Sequence, residues 1–386
     1  MNRNHTYSHI FALLRSFRIQ SGTTMAALLG AAWLFGACVK LTTETEVTAD
    51  PVPVSFTTYA QRNTKADASY VAPGENFSPG AVVGVFGFYH DGTTWAAETA
   101  AGTNIADFMY HTALTKQSDG TWTYSPIKYW PNEYGTGANS DNVDKLSFWG
   151  YYPRNAAGLS LYKPGTTDAY DNNTNGVPKA SFVQAANPDE QVDLMFTEPL
   201  LNLYRNDTSG HGAITDGEVT LTFKHALALV EFQLAEGTGA ELNLLRLTNI
   251  KRSGTVEDPT TTPFVWSNVG TEYTLEMSNI NVNEKTVLRL LAIPQTISAD
   301  ATFTLNYNIT FASSDPTHPD PIVYTGDSFS VKLWKTGTDA YGVQQWEAGK
   351  HYIYKIAAGL DRIEFEEVVI SSDDWSVAND NIEVSD

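Results

Sequence analysis

The feature that most constrains this chain is a hydrophobic period of two that recurs in segments far apart along it. Phe303, Leu305, Tyr307, Ile309 and Phe311 alternate with Thr302, Thr304, Asn306, Asn308 and Thr310. Val52, Val54 and Phe56 alternate with Pro53, Ser55 and Thr57, and Phe329, Val331 and Leu333 with Ser328, Ser330 and Lys332. Tyr352, Tyr354 and Ile356 repeat the pattern against His351, Ile353 and Lys355, with Ile353 the one exception. Successive side chains of an extended strand point to opposite faces, so each segment reads as a strand with one buried and one wet face. Many such strands imply antiparallel sheets packed face to face. Val82–Tyr89 is apolar on both faces, as expected of a central strand. Turn residues such as Asp91-Gly92, Asp119-Gly120, Asn175-Gly176 and Ser253-Gly254 separate the segments. The polar stretches 154–180 and 197–217 read as long loops, and no amphipathic helix stands out beyond the N-terminal region. The fold class is all-β, with two sandwiches in tandem.

One segment changes phase. Val219, Leu221 and Phe223 occupy odd positions, whereas Val230, Phe232 and Leu234 occupy even ones. A shift of one residue reverses every side chain, so a bulge or break is expected near Ala226–Leu229. Gly237-Thr-Gly239 is the expected domain boundary, dividing 51–236 from 237–386, with Gly210–Gly217 as the other candidate.

The N-terminus carries an address. Arg3, Arg15 and Arg18, with no acidic residue, precede the eleven-residue apolar run Met25–Phe35, then Gly36 and Ala37. A basic start, a short apolar core and small residues form a secretory signal over 1–37, too short to span a bilayer. It ends on Cys38, the chain's only cysteine. This arrangement resembles a bacterial lipobox, in which the thiol is acylated and becomes the first mature residue. Phe35, where an aliphatic residue is usual, and the long leader depart from that pattern. Residues 38–50, rich in threonine and glutamate, read as a flexible tether. With one cysteine, no internal disulfide can form, and stability must come from apolar burial, for which 42% hydrophobic and 12% aromatic residues suffice.

Removing 1–37 leaves 21 basic and 44 acidic residues, a net charge near −23. Such a surface repels phosphate backbones, so nucleic acid is not an expected partner. Asp171-Asn-Asn-Thr-Asn-Gly176 copies the start of a calcium loop, but Phe182 stands where the bidentate glutamate belongs and Pro178 replaces an aliphatic residue, so it reads as a polar turn. The eight histidines, His90 and His211 among them, show no metal spacing, and no metal or cofactor is assigned. His225, where the phase changes, reads as a structural imidazole with one hydrogen-bond partner. No nucleophile elbow, P-loop or dinucleotide fingerprint occurs. Glu366-Glu367 and Asp373-Asp374 are sequence neighbours, pointing to opposite faces of a strand, so no catalytic residue is assigned and the chain does not read as an enzyme. Nine tryptophans and nineteen tyrosines leave a glycan- or host-ligand-binding surface lipoprotein as an alternative, although Trp130, Trp149 and Tyr151 lie in apolar runs that suit a core.

Several segments in order resemble the fimbrillin family, the pilins and pilin-like lipoproteins of Bacteroides-type bacteria. They are Val52-Pro-Val-Ser-Phe56, Thr64-Lys-Ala66, Gly84-Val-Phe-Gly-Phe88, Tyr129-Trp-Pro131, Phe148-Trp-Gly-Tyr-Tyr-Pro153 and Asp193-Leu-Met195. Leu221-Thr-Phe-Lys-His-Ala-Leu227, Ile293-Pro-Gln295, Ala348-Gly-Lys-His-Tyr352 and Asp374-Trp375 complete the set. The resemblance implies two tandem transthyretin-like antiparallel β-sandwich domains and a pilus component, exported as an outer-membrane lipoprotein through Cys38 and supporting adhesion. It implies other pilin subunits as partners, the outer membrane as anchor, and a host or bacterial surface ligand. In polymerising members a protease cuts after Arg or Lys beyond the first strand, and a strand from the next subunit fills the vacated groove. Here the displaced strand corresponds to Val52, Val54 and Phe56, and the cut to Arg62 or Lys65. The last residues, Ser376–Asp386, alternate weakly at Ile382 and Val384, which suits a tip or accessory subunit better than one that donates a strand.

Overall fold

A computed structural model describes residues 51–60, 77–131, 143–204, 217–234, 240–280, 286–311, 317, 320–334, 343–358 and 363–370. Among them the chain is almost wholly β. An eight-stranded sheet runs in the order β1 (Ser55–Ala60), β10 (Glu218–His225), β8 (Met195–Thr197), β5 (Lys145–Tyr152), β2 (Val82–His90), β3 (Met109–Lys116) and β4 (Trp122–Thr123), with β9 (Leu200–Leu203) added on β5. A four-stranded sheet is ordered β14 (Thr286–Ala292), β11 (Ala228–Leu234), β19 (His351–Ala358) and β20 (Ile363–Ile370). A six-stranded sheet is ordered β17 (Ile322–Lys332), β16 (Thr302–Phe311), β12 (Ala240–Val256), β7 (Lys179–Val183) and β6 (Leu159–Tyr162), with β13 (Trp266–Ile280) also on β12. A short pair, β15 (Gln295–Thr296) and β18 (Gln345–Trp346), completes the set.

The alternation places the cores. Val230, Phe232, Tyr352, Tyr354, Ile356, Leu245, Leu247, Phe303, Leu305 and Tyr307 are buried together, so the four- and six-stranded sheets close one sandwich. The rings of Phe232 and Phe303 stack across it with centroids 4.5 Å apart. A second core lies on one face of the eight-stranded sheet and a third on the other. On β2, Val83 and Val85 enter one while Phe86 and Phe88 enter the other; on β5, Leu146 and Phe148 part from Trp149 and Tyr151 in the same way. These two strands are central, as their apolar runs require.

The phase change resolves into a change of sheet. β10 sends Val219, Leu221 and Phe223 into one core and ends at His225; the chain crosses at Ala226-Leu227, and β11 carries Val230 and Phe232 into another. The Ala226 N–H donates to Leu194 O at 2.8 Å and Leu229 N–H to Lys350 O at 3.0 Å, so the crossing keeps its backbone satisfied.

Three features depart from expectation. β6, β7 and β9 lie in or at the edges of stretches read as loops; β6 and β9 have four residues each and are half-exposed, so they carry little apolar signal. Helix α1 (Trp95–Ala101) is capped by Thr94, whose Oγ1 accepts from Ala97 N–H at 3.3 Å, and buries no residue, so it has no apolar stripe to betray it. Two pairings are parallel, β1 on β10 and β11 on β19. Parallel neighbours need long connections, and both pairs join strands far apart in the chain.

Candidate functional site

The strand expected at Val52–Phe56 begins later, at Ser55, and runs to Ala60. Pro53 lacks an N–H and meets Tyr129 only as an isolated bridge, which keeps the lead-in out of the regular ladder. Val54 and Phe56 are buried and Val52 is half-buried. β1 takes the edge of the sheet beside β10, in parallel register from Ser55 opposite Glu218 to Ala60 opposite Phe223. Its lead-in is held on the other side as well: Val54 N–H donates to Lys128 O, and Trp130 N–H to Val52 O, each at 2.9 Å. The Tyr124 hydroxyl donates to Val54 O at 2.6 Å. Burial pushes that phenol's pKa up, partly offset by its hydrogen bond with the Lys128 backbone, so it remains a donor at neutral pH.

The strand lies in an apolar groove. Phe56 meets Tyr124 and Phe148 edge-on at 5.6 and 5.4 Å, in the same core as Val219, Leu221 and Phe223 of the neighbouring β10. Fully burying an aliphatic or aromatic side chain stabilises by about 1.5–3 kcal/mol, so Val54 and Phe56 together hold the strand with roughly 3–6 kcal/mol. Gly217 fixes where the strand enters. Its carbonyl accepts from the Ser55 N–H and from the Trp130 indole, both at 3.0 Å. With φ at +75°, a Cβ there would stand 2.7 Å from Pro53 O, so only glycine fits. One residue fits badly. Thr58 is 5% exposed, and its hydroxyl has no hydrogen-bond partner among the described residues. Cys38, Arg62 and Lys65 lie outside the described residues, as do His211 and 371–386.

The other sequence candidates are structural ties. His90 Nδ1 contacts Glu98 Oε2 at 2.7 Å, and its Nε2 contacts Ser147 Oγ at 2.8 Å. This repeats the order of a catalytic triad, but His90 and Ser147 are both 0% exposed and Ser147 Oγ also accepts the Asn202 N–H at 2.9 Å. A nucleophile needs access to its substrate, so the trio serves to clamp α1 onto β2 and β5. His225 has the expected partner: its Nδ1 lies 3.0 Å from the Asp193 carboxylate, both fully buried. Asp171 forms the polar turn, accepting from Asn173 N–H at 3.0 Å and Thr174 Oγ1 at 2.8 Å, with Lys163 Nζ at 2.8 Å. Trp130, Trp149 and Tyr151 are buried in the cores.

Residues 64–375 match the family model described as fimbrillin-like. Among solved structures, the chain is similar to a candidate cell adhesion protein of Bacteroides ovatus, at 16% identity and a TM-score of 0.49, covering 86% of this chain and 100% of that one. A candidate cell adhesion protein of Bacteroides uniformis is similar at 15% identity and a TM-score of 0.48, covering 84% and 99%. The tip fimbrial protein Mfa3 of Porphyromonas gingivalis is similar at 12% identity and a TM-score of 0.34, covering 77% and 95%. No curated protein matches the chain.

Proposed function

This chain belongs to the fimbrillin-like family, and we propose that it is a structural subunit of a cell-surface pilus, assembled by proteolysis and strand exchange and supporting adhesion. The observation that carries the proposal is the seating of β1. It is the first strand among the described residues, it occupies a sheet edge, and an apolar groove receives its side chains. The segment between Ala60 and Phe77 contains Arg62 and Lys65. A cut there severs β1 from everything but its groove contacts. Once β1 leaves, the backbone of Glu218–Phe223 loses its partner along one side and Val219, Leu221 and Phe223 become a wettable slot. A strand from the next subunit satisfies both.

In this scheme Cys38 holds the exported precursor to the outer membrane by its lipid, and the cut releases lipid and first strand together. Lipid loss and groove exposure are then one event. β20 pairs with β19 in its own sheet, so it is already used within its own subunit, which supports a tip or accessory position over one that donates this strand. The acidic surface argues against nucleic acid as a partner.

A direct test uses the mature protein, nicked by a protease specific for Arg and Lys, and a fluorescent synthetic peptide of residues 51–60. The nicked protein is expected to exchange its own first strand for the peptide while the intact protein does not. Equal uptake by both forms, or none by the nicked form after β1 is washed away, would refute the scheme.

A further inference from the structure

Beside β2 and β3, away from the β1 groove, an open cleft of about 370 Å³ is walled by Phe86, Tyr110, His111, Tyr151, Arg154 and Tyr170. Its size falls in the range of small-molecule sites. Gly84 makes room for its floor: a Cβ at that position would lie 2.4 Å from the Tyr151 ring, so the bare backbone lets the ring lie flat over the strand. Phe86 and His111 stack at 5.8 Å and 9°, and Tyr110 and Tyr170 at 6.1 Å and 9°. Tyr110 is 42% exposed, an open aromatic face at the mouth. His111 itself sits at φ +49°, a left-handed conformation rare for a residue with a Cβ, and strain of this kind gathers at functional sites.

The chemistry of the cleft turns on Arg154. Its Nε and Nη2 donate to His111 O at 3.2 and 3.1 Å, and its Nη1 to Asn155 Oδ1 at 3.1 Å. Both acceptors are neutral, and among the described residues no carboxylate pairs with it. Asp171, whose charge is felt at Tyr110, is engaged by Lys163 Nζ at 2.8 Å. His111 adds no charge at neutral pH, because burial and then the neighbouring guanidinium pull its imidazole down to about 4. A protein of net charge −20 thus holds an unneutralised guanidinium in an aromatic cleft, with N–H groups to spare.

We propose that this cleft binds an acidic sugar, a uronic or nonulosonic acid residue at the end of a glycan. The carboxylate meets the two N–H groups that Arg154 has left, one on Nη1 and one on Nη2, on a planar group suited to two hydrogen bonds. The apolar C–H face of the ring lies on Tyr110, and the exposed Asn155 amide is within reach of a sugar hydroxyl. The site is independent of strand exchange, so a pilus subunit and a free monomer would bind alike.

The test is calorimetric titration of the mature monomer with glucuronic acid, N-acetylneuraminic acid, glucose, and a short peptide with a free C-terminal carboxylate. One of the acids is expected to bind saturably and more than tenfold tighter than glucose or the peptide. Arg154→Gln should weaken it more than tenfold, and Arg154→Lys, which keeps the charge but loses the fork, by less. Because Arg154 also holds the His111 carbonyl, Tyr110→Ala is the second variant, expected to weaken binding severalfold in a protein that still unfolds cooperatively, with a melting temperature lowered only by the lost Phe86 and Tyr170 contacts. No acid binding at about 10 mM, equal binding of glucose, or full affinity in Tyr110→Ala would overturn the proposal. Tighter binding of the peptide would replace the sugar with a peptide terminus and overturn it equally.

Discussion

Thr58 offers the sharpest probe of how β1 is held. It faces the groove opposite Leu221, is 5% exposed, and carries a hydroxyl with no partner among the described residues. An unmatched buried hydroxyl costs about 1–3 kcal/mol, because the group leaves water and receives nothing in return. Valine has the same branched shape without the polar atom. Thr58→Val should therefore stabilise the docked strand by about 1 kcal/mol at the low end of that range. In a domain this large that raises the melting temperature by about 2 °C. After a nick beyond Ala60, only groove contacts hold the strand, and the same 1 kcal/mol becomes about a fivefold slower release. Urea unfolding of the intact chain reads the first quantity, and loss of a labelled first strand from nicked protein reads the second. If Thr58→Val releases its strand as fast as the parent, or melts lower, the hydroxyl has a partner and the groove is better matched to β1 than argued.

Phe56→Ala removes the main anchor, with an expected loss of about 3–5 kcal/mol, seen as a lower urea midpoint and as release of β1 from nicked protein within the mixing time. Gly217→Ala drives a methyl group toward Pro53 O, 2.7 Å away, from a positive-φ backbone; a loss of about 1–3 kcal/mol is expected, with hydrogen exchange rising first at Ser55 and Trp130. Glu231 is buried, which alone would raise its pKa, but His351 at 3.5 Å and Arg289 at 2.5 Å hold the carboxyl down at about 2. Because the folded value lies below the unfolded one, the stabilisation of about 3 kcal/mol is complete above about pH 4.5 and is lost as pH falls toward 2. Glu231→Gln should flatten the acid limb of urea midpoints in that window while lowering stability at pH 7. An unchanged acid limb would mean other carboxylates carry it.

Strands that bury one face were legible because their alternation is a direct image of that burial: Phe303, Leu305 and Tyr307 are all 0% exposed. Val82–Tyr89, apolar on both sides, was legible as central for the same reason. The shift of phase after Phe223 was legible as a break, but alternation has no way to say that the chain crosses to another sheet. Pairing is silent too. Ser55 meets Gly217 across 162 residues, and nothing in either segment marks the other as its parallel neighbour. β12 likewise pairs β16 along its first half and β7 along its second, a division invisible in a continuous strand. In the groove, Val54, Phe56 and Trp130 carried apolar signals. Gly217 did not, because its importance lies in backbone approach, and Thr58 did not, because its fault is a missing partner. Arg154 was one more cation in polar sequence until the fold set aromatic rings around it.

In the proposed scheme β1 and the Cys38 lipid leave the subunit in one cut. Mass spectrometry of the N-terminus measures it directly, on protein taken separately from sheared pili and from outer membranes. The account predicts acylated Cys38 in the membrane pool and, in pilus material, a chain that starts just after Arg62 or Lys65. Acylated Cys38 as the sole N-terminus in assembled fibres would contradict it.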